Sequence, residues 1–218
     1  MQGPGGYIYA LRWHDGGLYV GGQTSSGYVG KLVGTNFVSV GNGLDFTDSP
    51  DPDPYRGVRA IQVIDGDLYV GGGFTSSSNT DVRFIGRLDA ASNTWVPVVA
   101  VTNALNNTIR AIAEFGDTIY VGGDFTAAGT NSAVQYLAKL VNGQWQPVGS
   151  GVNGRVLALT AHNGRLFVGG DFTTAGGQTN ANYIACWDVS KWSTINNGVS
   201  DGTYDDLRPS DARRRHLR

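Results

Sequence analysis

An acidic, proline-rich segment at residues 45–56 is the part of the sequence best suited to bind a metal ion. It reads Asp-Phe-Thr-Asp-Ser-Pro-Asp-Pro-Asp-Pro-Tyr-Arg, with four carboxylates in its first nine residues. Calcium prefers several oxygen ligands, so these side chains could surround a calcium ion. However, three prolines stiffen the segment, and the carboxylates do not have the spacing of a known calcium loop. We therefore interpret it as a solvated connection and predict no metal or other cofactor.

Side chains that could act in catalysis are few and scattered. Cys186 is the one cysteine, so no intrachain disulfide can form, and a nucleophilic thiol would need a base partner. His14 and His162 occupy equivalent turns of two repeated units, and His216 lies near the end of the chain. Three separated histidines do not have the spacing of a zinc or copper site. The sequence therefore predicts no catalytic residue.

Two aspartates recur in the same local motif, because Asp124 and Asp171 each precede Phe-Thr and follow a Gly-Gly pair. They could be repeated ligand contacts. We favour a structural interpretation, in which each forms an Asx-type turn that Thr126 or Thr173 helps to stabilise. The aromatic residues after the Gly-Gly pairs are predicted to pack between units rather than to form a sugar platform: Phe74, Phe125 and Phe172.

The element that positions all these residues is a repeat. Leu18-Tyr19-Val20-Gly21-Gly22 returns three times with conservative changes, and the first glycines of the four copies lie at positions 21, 71, 122 and 169. The steps between them are therefore 50, 51 and 47 residues, a period typical of propellers and other repeat arrays. With 33 glycines, the composition also suits short strands joined by tight turns.

Each unit contains four short runs rich in β-branched and aromatic residues, which we designate strands a to d. In the first unit they are predicted at 8–13, 18–22, 28–32 and 37–40. Four antiparallel strands in about 50 residues are typical of a β-propeller blade, which buries both faces only when blades stack radially. We predict an all-β chain with blades at about 7–57, 58–108, 109–155 and 156–206. Residues 207–218 would be the truncated start of a fifth repeat and a basic tail.

The Gly-Gly pair that ends strand b, the aromatic or apolar position that opens strand c and the polar turn at 88–95 resemble the kelch repeats of galactose-oxidase-like propellers. The extension Gly-Gly-Asp-Phe-Thr at 122–126 and 169–173 is similar to a variant in large bacterial and fungal cell-surface proteins. Such propellers usually have six or seven blades. The resemblance therefore implies that these four blades belong to a larger ring or close a ring by self-association, a four-bladed ring being the third option.

Loop lengths indicate which end of the blades would meet a ligand. The a–b and c–d turns are short, whereas the b–c and d–a loops at the other end are long and variable. Because function usually resides on loops held by a rigid scaffold, we predict a recognition face there. Its predicted ligand-binding residues are Asp51, Asp53, Tyr55, Arg83, Gln135, Asn180 and Asn182.

Charge and targeting signals constrain the partners. The net charge of −2 gives no broad attraction to nucleic acid, and no apolar run approaches a membrane-spanning length, so we predict neither nucleic-acid binding nor membrane insertion. The first residues do not read as a signal peptide. The resemblance implies an extracellular or cell-surface location with the targeting segment outside this chain, and a cytoplasmic location is the alternative.

These observations favour a non-catalytic binding or surface scaffold module that recognises a protein or glycan. One alternative is a fragment of a galactose-oxidase-like enzyme whose catalytic residues lie in missing blades. The copper, tyrosine, histidine and crosslinked cysteine site of galactose oxidase cannot be mapped onto this sequence. A second alternative is a structural repeat of a surface or virion assembly, in which blade edges pair between chains.

Overall fold

The computed structural model describes residues 6–24, 28–47, 49, 56–76 and 81–195, and within them the chain forms four four-stranded antiparallel sheets. Blade 1 consists of β1 (Gly6–His14), β2 (Gly17–Thr24), β3 (Val29–Val33) and β4 (Asn36–Ser39). Blade 2 consists of β5 (Val58–Ile64), β6 (Asp67–Gly72), β7 (Ile85–Asp89) and β8 (Thr94–Pro97). Blade 3 consists of β9 (Ile109–Glu114), β10 (Ile119–Gly123), β11 (Leu137–Val141) and β12 (Gln144–Pro147). Blade 4 consists of β13 (Val156–His162), β14 (Arg165–Gly170), β15 (Ile184–Trp187) and β16 (Trp192–Thr194).

Each sheet is a simple meander, because its strands pair in the order in which they follow one another. The a–b turns are tight: in blades 1, 2 and 4 they are the pairs Asp15-Gly16, Asp65-Gly66 and Asn163-Gly164, in which both residues have positive φ. That geometry is typical of a type I′ hairpin turn, whose twist matches that of the strands. The predicted all-β architecture of propeller blades is confirmed.

The predicted start of strand c is wrong in all four blades. The aromatic residue expected as its first residue, or in blade 2 as its second residue after Arg83, lies just before the strand instead: Tyr28, Phe84, Tyr136 and Tyr183. These residues have φ values of 75°, 61°, 59° and 71°, a left-handed conformation that a strand cannot contain. The left-handed aromatic is a turn residue that ends the b–c loop.

The hydrophobic core is divided among the blade interfaces. Three buried clusters lie between blades 1 and 2, blades 2 and 3, and blades 3 and 4, and the strands a of successive blades contact one another. Phe74, Phe125 and Phe172 are fully buried in these clusters, which confirms that they pack between blades. The largest buried side chains include Trp95 and Trp145, both on strand d. Stability therefore depends on contacts between repeats, as in other repeat proteins.

The two glycines of each repeated pair have different structural roles. In blades 1 to 3, a methyl group on the first glycine would collide with the next blade: on Gly122 it would lie 2.2 Å from Cγ1 of Val156. A methyl group on the second would collide with the backbone of the same blade, and on Gly123 it would lie 2.1 Å from the carbonyl oxygen of Thr108. None of these glycines has a positive φ, so close approach and not unusual backbone conformation explains the pair.

One helical turn, the 3₁₀ segment η1 (Val101–Asn103), lies in the loop between blades 2 and 3. In the part of the chain that the structure describes, no helix has the length and hydrophobicity needed to cross a membrane.

Candidate functional site

The long b–c and d–a loops meet at one end of the blades, where each d–a loop pairs with the b–c loop of the following blade. Isolated β-bridges join Asp45 to Ser76, Leu105 to Ala128, and Val152 to Ala175. The first of these contacts carries two backbone hydrogen bonds, each 2.9 Å long. The same arrangement at three successive interfaces ties the loops to the scaffold, which is how a rigid surface for recognition is built.

Asparagine side chains reinforce two of these contacts. The Asn106 Oδ1 atom accepts hydrogen bonds from the backbone N–H groups of Thr126 and Ala127, at 2.9 and 3.2 Å, and its Nδ2 atom donates to Thr126 Oγ1 at 3.1 Å. Asn153 makes the same three hydrogen bonds to residues 173–174, at 2.9, 2.8 and 3.1 Å. We call each set an asparagine clasp. It fixes the bend that follows strand b.

The repeated aspartates pair with arginines, so the Asx-turn interpretation of this bend was wrong. Asp124 accepts a bidentate hydrogen bond from Arg110, with N–O distances of 2.8 and 2.7 Å, and the two side chains are only 9% and 16% exposed. Asp171 pairs with Arg155, and both of those side chains are about half exposed. The threonines after these aspartates bond to the clasp asparagines instead. The aspartates therefore orient strand a relative to the b–c loop.

Strand a contains a β-bulge that the sequence analysis missed. The register of each first hairpin shifts near its start, leaving one extra residue opposite the Gly-Gly pair: Tyr9, Arg59, Arg110 and Leu157. The Arg59 guanidinium lies 4.1 Å from the centre of the Tyr9 ring, a cation–π contact between blades 1 and 2. The sequence did contain a signal for the bulge. Val58 and Ile61 are both apolar although they are three positions apart, and strict alternation would place them on opposite faces of the strand.

A cleft of about 590 Å³ opens between blades 2 and 3 at the loop end. Its most prominent charged group is Arg83, whose side chain is 47% exposed and lies 3.7 Å from the Asp81 carboxylate. Hydroxyl, carboxylate, guanidinium and amide groups therefore surround a partly apolar floor. The lining residues are Thr75, Ser76, Asp81, Arg83, Phe84, Val101, Ala104, Leu105 and Asn106. Such a lining offers hydrogen bonds and one ion pair to a polar ligand.

The other predicted recognition residues are distributed over the same end of the molecule. Gln135 and Asn182 occupy the position equivalent to Arg83, directly before the left-handed aromatic of blades 3 and 4. The Gln135 Nε2 atom donates to the Ser132 carbonyl at 2.9 Å, so this side chain supports its own loop. Asn180 is exposed in the b–c loop of blade 4. Asp51, Asp53 and Tyr55 lie outside the described residues.

The aromatic residues with positive φ join the two ends of each b–c loop by backbone hydrogen bonds. The carbonyl oxygen of each accepts a hydrogen bond from the second glycine of the pair, as between Gly72 and Phe84 at 3.0 Å. The backbone N–H of Phe84 in turn donates to the Phe74 carbonyl at 2.9 Å. A left-handed backbone conformation costs a non-glycine residue about 1–3 kcal/mol, so it persists only where the surrounding structure imposes it. At Phe84 these two hydrogen bonds impose it. The residue before each aromatic, including Arg83, is thereby held in a fixed position.

The acidic segment contributes one described carboxylate, and that group is engaged in the loop. Asp45 Oδ1 accepts from the hydroxyl and the backbone N–H of Thr47, at 2.6 and 2.8 Å. The hydroxyl bond first, and then the backbone bond, lower the pKa of Asp45. Among the described residues, no three His, Cys, Asp or Glu side chains gather in one place. Cys186 is buried on β15.

The meander blades and their paired loops define this chain as a β-propeller domain with one elaborated loop face. The chain belongs to the family of the Rax2 C-terminal beta propeller domain, whose family model matches residues 97–217, more than half of the chain.

The chain is also similar to individual known proteins. The chain is 30% identical over 107 residues to "Polarized growth protein L1" of Phoma sp., a match covering 48% of this chain and 8% of that protein's length. The computationally designed Ika4 protein matches with a TM-score of 0.51 and 15% identity, over 86% of this chain and 94% of Ika4. The extracellular domain of a one-component system from B. thetaiotaomicron matches with a TM-score of 0.50 and 14% identity, over 90% of this chain and 26% of that one. The structural matches concern the fold alone.

Proposed function

We propose that this chain is a non-catalytic recognition module that binds a protein or a glycan through its b–c and d–a loops. The supporting observation is the cleft between blades 2 and 3. It lies at the end where the unequal loops meet, and its walls are the b–c loop of blade 2 and the loop between blades 2 and 3. Bound ligands favour concave sites in which a few polar groups are held by a rigid frame.

Arg83 is the central residue of the proposed site. Its guanidinium is partly exposed, whereas its backbone is positioned by the adjacent Phe84 and the two hydrogen bonds of that residue. The Asp81 carboxylate, 3.7 Å away, orients the guanidinium without burying it. A planar guanidinium beside a carboxylate can donate to sugar hydroxyls or to backbone carbonyls of a partner.

We also propose that the module acts at the outside of the cell or at its surface, in polarized growth. The relationship to a polarized growth protein supports the process, and the likeness of the repeats to surface-protein variants supports the location. The kelch-like type of the repeat is part of this proposal, and its support is the Gly-Gly pair that ends strand b in blades 2 to 4; in blade 1 the strand continues past the pair to Thr24. The scattered positions of His14, His162 and Cys186 favour recognition over catalysis.

A site-specific photocrosslinker tests the recognition face. We expect the full chain with a photoreactive amino acid at Val101, an exposed residue of the cleft lining, to form a defined adduct on intact cells. Mass spectrometry of the adduct then shows whether the partner is a protein or a glycan. Arg83→Ala, on the opposite wall of the cleft, should abolish capture of the same partner by the crosslinker at Val101.

Arg87 is the matched control, because it belongs to the same blade, is also partly exposed and pairs with Asp67 at 2.9 Å. It lies toward the opposite end, near the a–b turn. A crosslinker at Arg87 should give no such adduct, and Arg87→Ala should leave capture unchanged. Equal labelling from both positions, or labelling from Arg87 alone, would show that the wrong end was chosen.

A further inference from the structure

A second concave site lies beside the outermost strand of blade 3. A groove of about 490 Å³ runs between η1, the b–c loop of blade 3 and strand β12. All of its lining residues belong to the continuously described range 81–195. Val101 lines the Arg83 cleft, whereas the next two residues, Thr102 and Asn103, line this groove. η1 therefore separates the two sites.

The equivalent place in blade 4 is filled by the protein itself. There Gly176 of the b–c loop lies against the Trp192 side chain on strand d. The Gln178 Nε2 atom of the same loop donates to the Trp192 carbonyl oxygen at 3.0 Å. In blade 4 the b–c loop therefore closes directly onto the outermost strand.

η1 prevents this closure in blade 3. The loop that leads into blade 3 runs over 98–104, three residues longer than the loop over 148–151 that leads into blade 4, and the longer loop contains η1. Gly129, the counterpart of Gly176, lies against the Thr102 carbonyl oxygen of η1 and not against the strand. The groove is the space that η1 keeps open between the b–c loop and β12.

The open groove leaves polar groups without the partners that their counterparts have. Trp192 Nε1 donates to the Val148 carbonyl oxygen at 3.1 Å, whereas Trp145 Nε1 is buried and has no hydrogen-bond partner among the described residues. Asn131, the counterpart of Gln178, is one methylene shorter, and its Oδ1 atom accepts from a backbone N–H of its own loop at 3.0 Å. A buried donor without an acceptor is rare in proteins and marks a place where a ligand can supply one.

The lining of the groove is neutral and rich in hydrogen-bonding groups. None of the nine described lining residues is charged, and six carry a hydroxyl or a carboxamide: Thr102, Asn103, Thr130, Asn131, Gln144 and Gln146. Carboxamides and hydroxyls both donate and accept hydrogen bonds, as the hydroxyl groups of a sugar do. An ionic ligand would find no opposite charge in this lining to balance its own.

An extended peptide, the other neutral ligand of this kind, fits the strand edge poorly. Strand addition requires a row of free backbone N–H and carbonyl groups. On one side of Trp145 the Gly143 carbonyl oxygen lies 3.5 Å from Asn103 Nδ2, and on the other side Pro147 has no N–H to donate. The edge is therefore interrupted on both sides of Trp145.

We propose that this groove binds a neutral carbohydrate. Its hydroxyl groups pair with the threonine hydroxyls and the carboxamides of the lining, and one of its oxygen atoms accepts from the Trp145 indole N–H at the floor. The volume lies within the range of known ligand sites. This site does not rest on the recognition role proposed for the Arg83 cleft, which lies on the other side of η1.

Nuclear magnetic resonance of the full ¹⁵N-labelled chain tests the site. The probes are neutral hexasaccharides of glucose, mannose and N-acetylglucosamine. At least one of them should shift the Trp145 indole signal and the side-chain amide signals of Asn103 and Asn131 in a saturable titration, while the Arg83 Nε–H signal stays in place. Hexagalacturonate and a capped hexapeptide of alternating serine and threonine are the charged and peptide comparisons, and neither should shift these signals.

Paired variants locate the binding energy. Thr102→Val combined with Thr130→Val removes two exposed hydroxyls at nearly constant side-chain size and should raise the dissociation constant of the bound sugar at least about 10-fold. Thr179→Val is the matched control, because Thr179 is an exposed threonine in the b–c loop of blade 4. This control and Arg83→Ala should both leave the titration unchanged.

Four results would overturn the proposal. They are no shift of the Trp145 indole signal with any of the three sugars, binding of hexagalacturonate or of the peptide in their place, a dissociation constant unchanged in the double threonine variant, and an equal loss of affinity in Thr179→Val. A loss of sugar binding in Arg83→Ala would place the sugar in the other cleft and would overturn it too. Failure of the Arg83 cleft to capture a partner would leave this second site intact, so the two proposals fail separately.

Discussion

Replacing the first glycine by alanine should have opposite effects in blades 3 and 4. In Gly122→Ala the new methyl group would lie 2.2 Å from Cγ1 of Val156, which is fully buried and has no room to retreat. Overpacking of this kind costs about 1–3 kcal/mol of unfolding free energy. In Gly169→Ala the nearest atom within the described part of the chain is 3.8 Å away, an ordinary contact. Loss of unfolded-state entropy should then stabilise this variant by about 0.4–1 kcal/mol.

Urea unfolding, followed by circular dichroism, measures the difference in unfolding free energy between the two variants. We expect Gly122→Ala to be less stable than Gly169→Ala by about 1.5–4 kcal/mol, and each kcal/mol should shift the melting temperature by about 2–4 °C. Val156→Ala should relieve the clash, so the double variant with Gly122→Ala should be more stable than additivity predicts. Equal stability of the two glycine variants, or strict additivity in the double variant, would refute the interpretation that close approach of the next blade requires glycine at position 122.

Two further predictions concern the loop end. Asn106→Ala removes the three hydrogen bonds of a clasp, including two to the backbone N–H groups after strand b, and should destabilise the chain by about 1–3 kcal/mol in the same urea assay; Asn106→Asp, which keeps the acceptor, should cost less. Arg110→Ala leaves the nearly buried carboxylate of Asp124 unpaired and should cost about 3–5 kcal/mol, whereas Arg155→Ala breaks an exposed pair and should cost at most about 1 kcal/mol. Equal losses for the two arginines would show that burial does not set the strength of these pairs.

The blades were predictable from the sequence because their determinants are local. Short runs bounded by turn residues such as Asp15-Gly16 specify hairpins, and the recurrence of Leu18–Gly22 specifies that the hairpins form equal units. Burial of Phe74 and its equivalents followed from their place after the Gly-Gly pair.

The loop geometry was not predictable, because it depends on contacts between segments far apart in the chain. Asn106 forms its clasp with Thr126, twenty residues later. Arg110 is the extra residue of the β-bulge, and from that position its side chain pairs with Asp124. Nothing local distinguishes Tyr136 as a left-handed residue rather than the first residue of a strand. Its conformation is imposed by the hydrogen bonds of its carbonyl and N–H groups.

Burial of strand a is also a property of neighbours and not of the strand. Ala60, Ala111 and Ala158 occupy equivalent positions in blades 2, 3 and 4. Each pairs with the first glycine of its blade's Gly-Gly pair, and of the three only Ala158 is exposed. The same holds for Leu11 compared with Ile61. A repeat pattern specifies which residues can form an interface, whereas the number of blades beside them decides whether they do. The burial of a strand a residue therefore depends on what packs against its blade, which the repeat pattern itself does not specify.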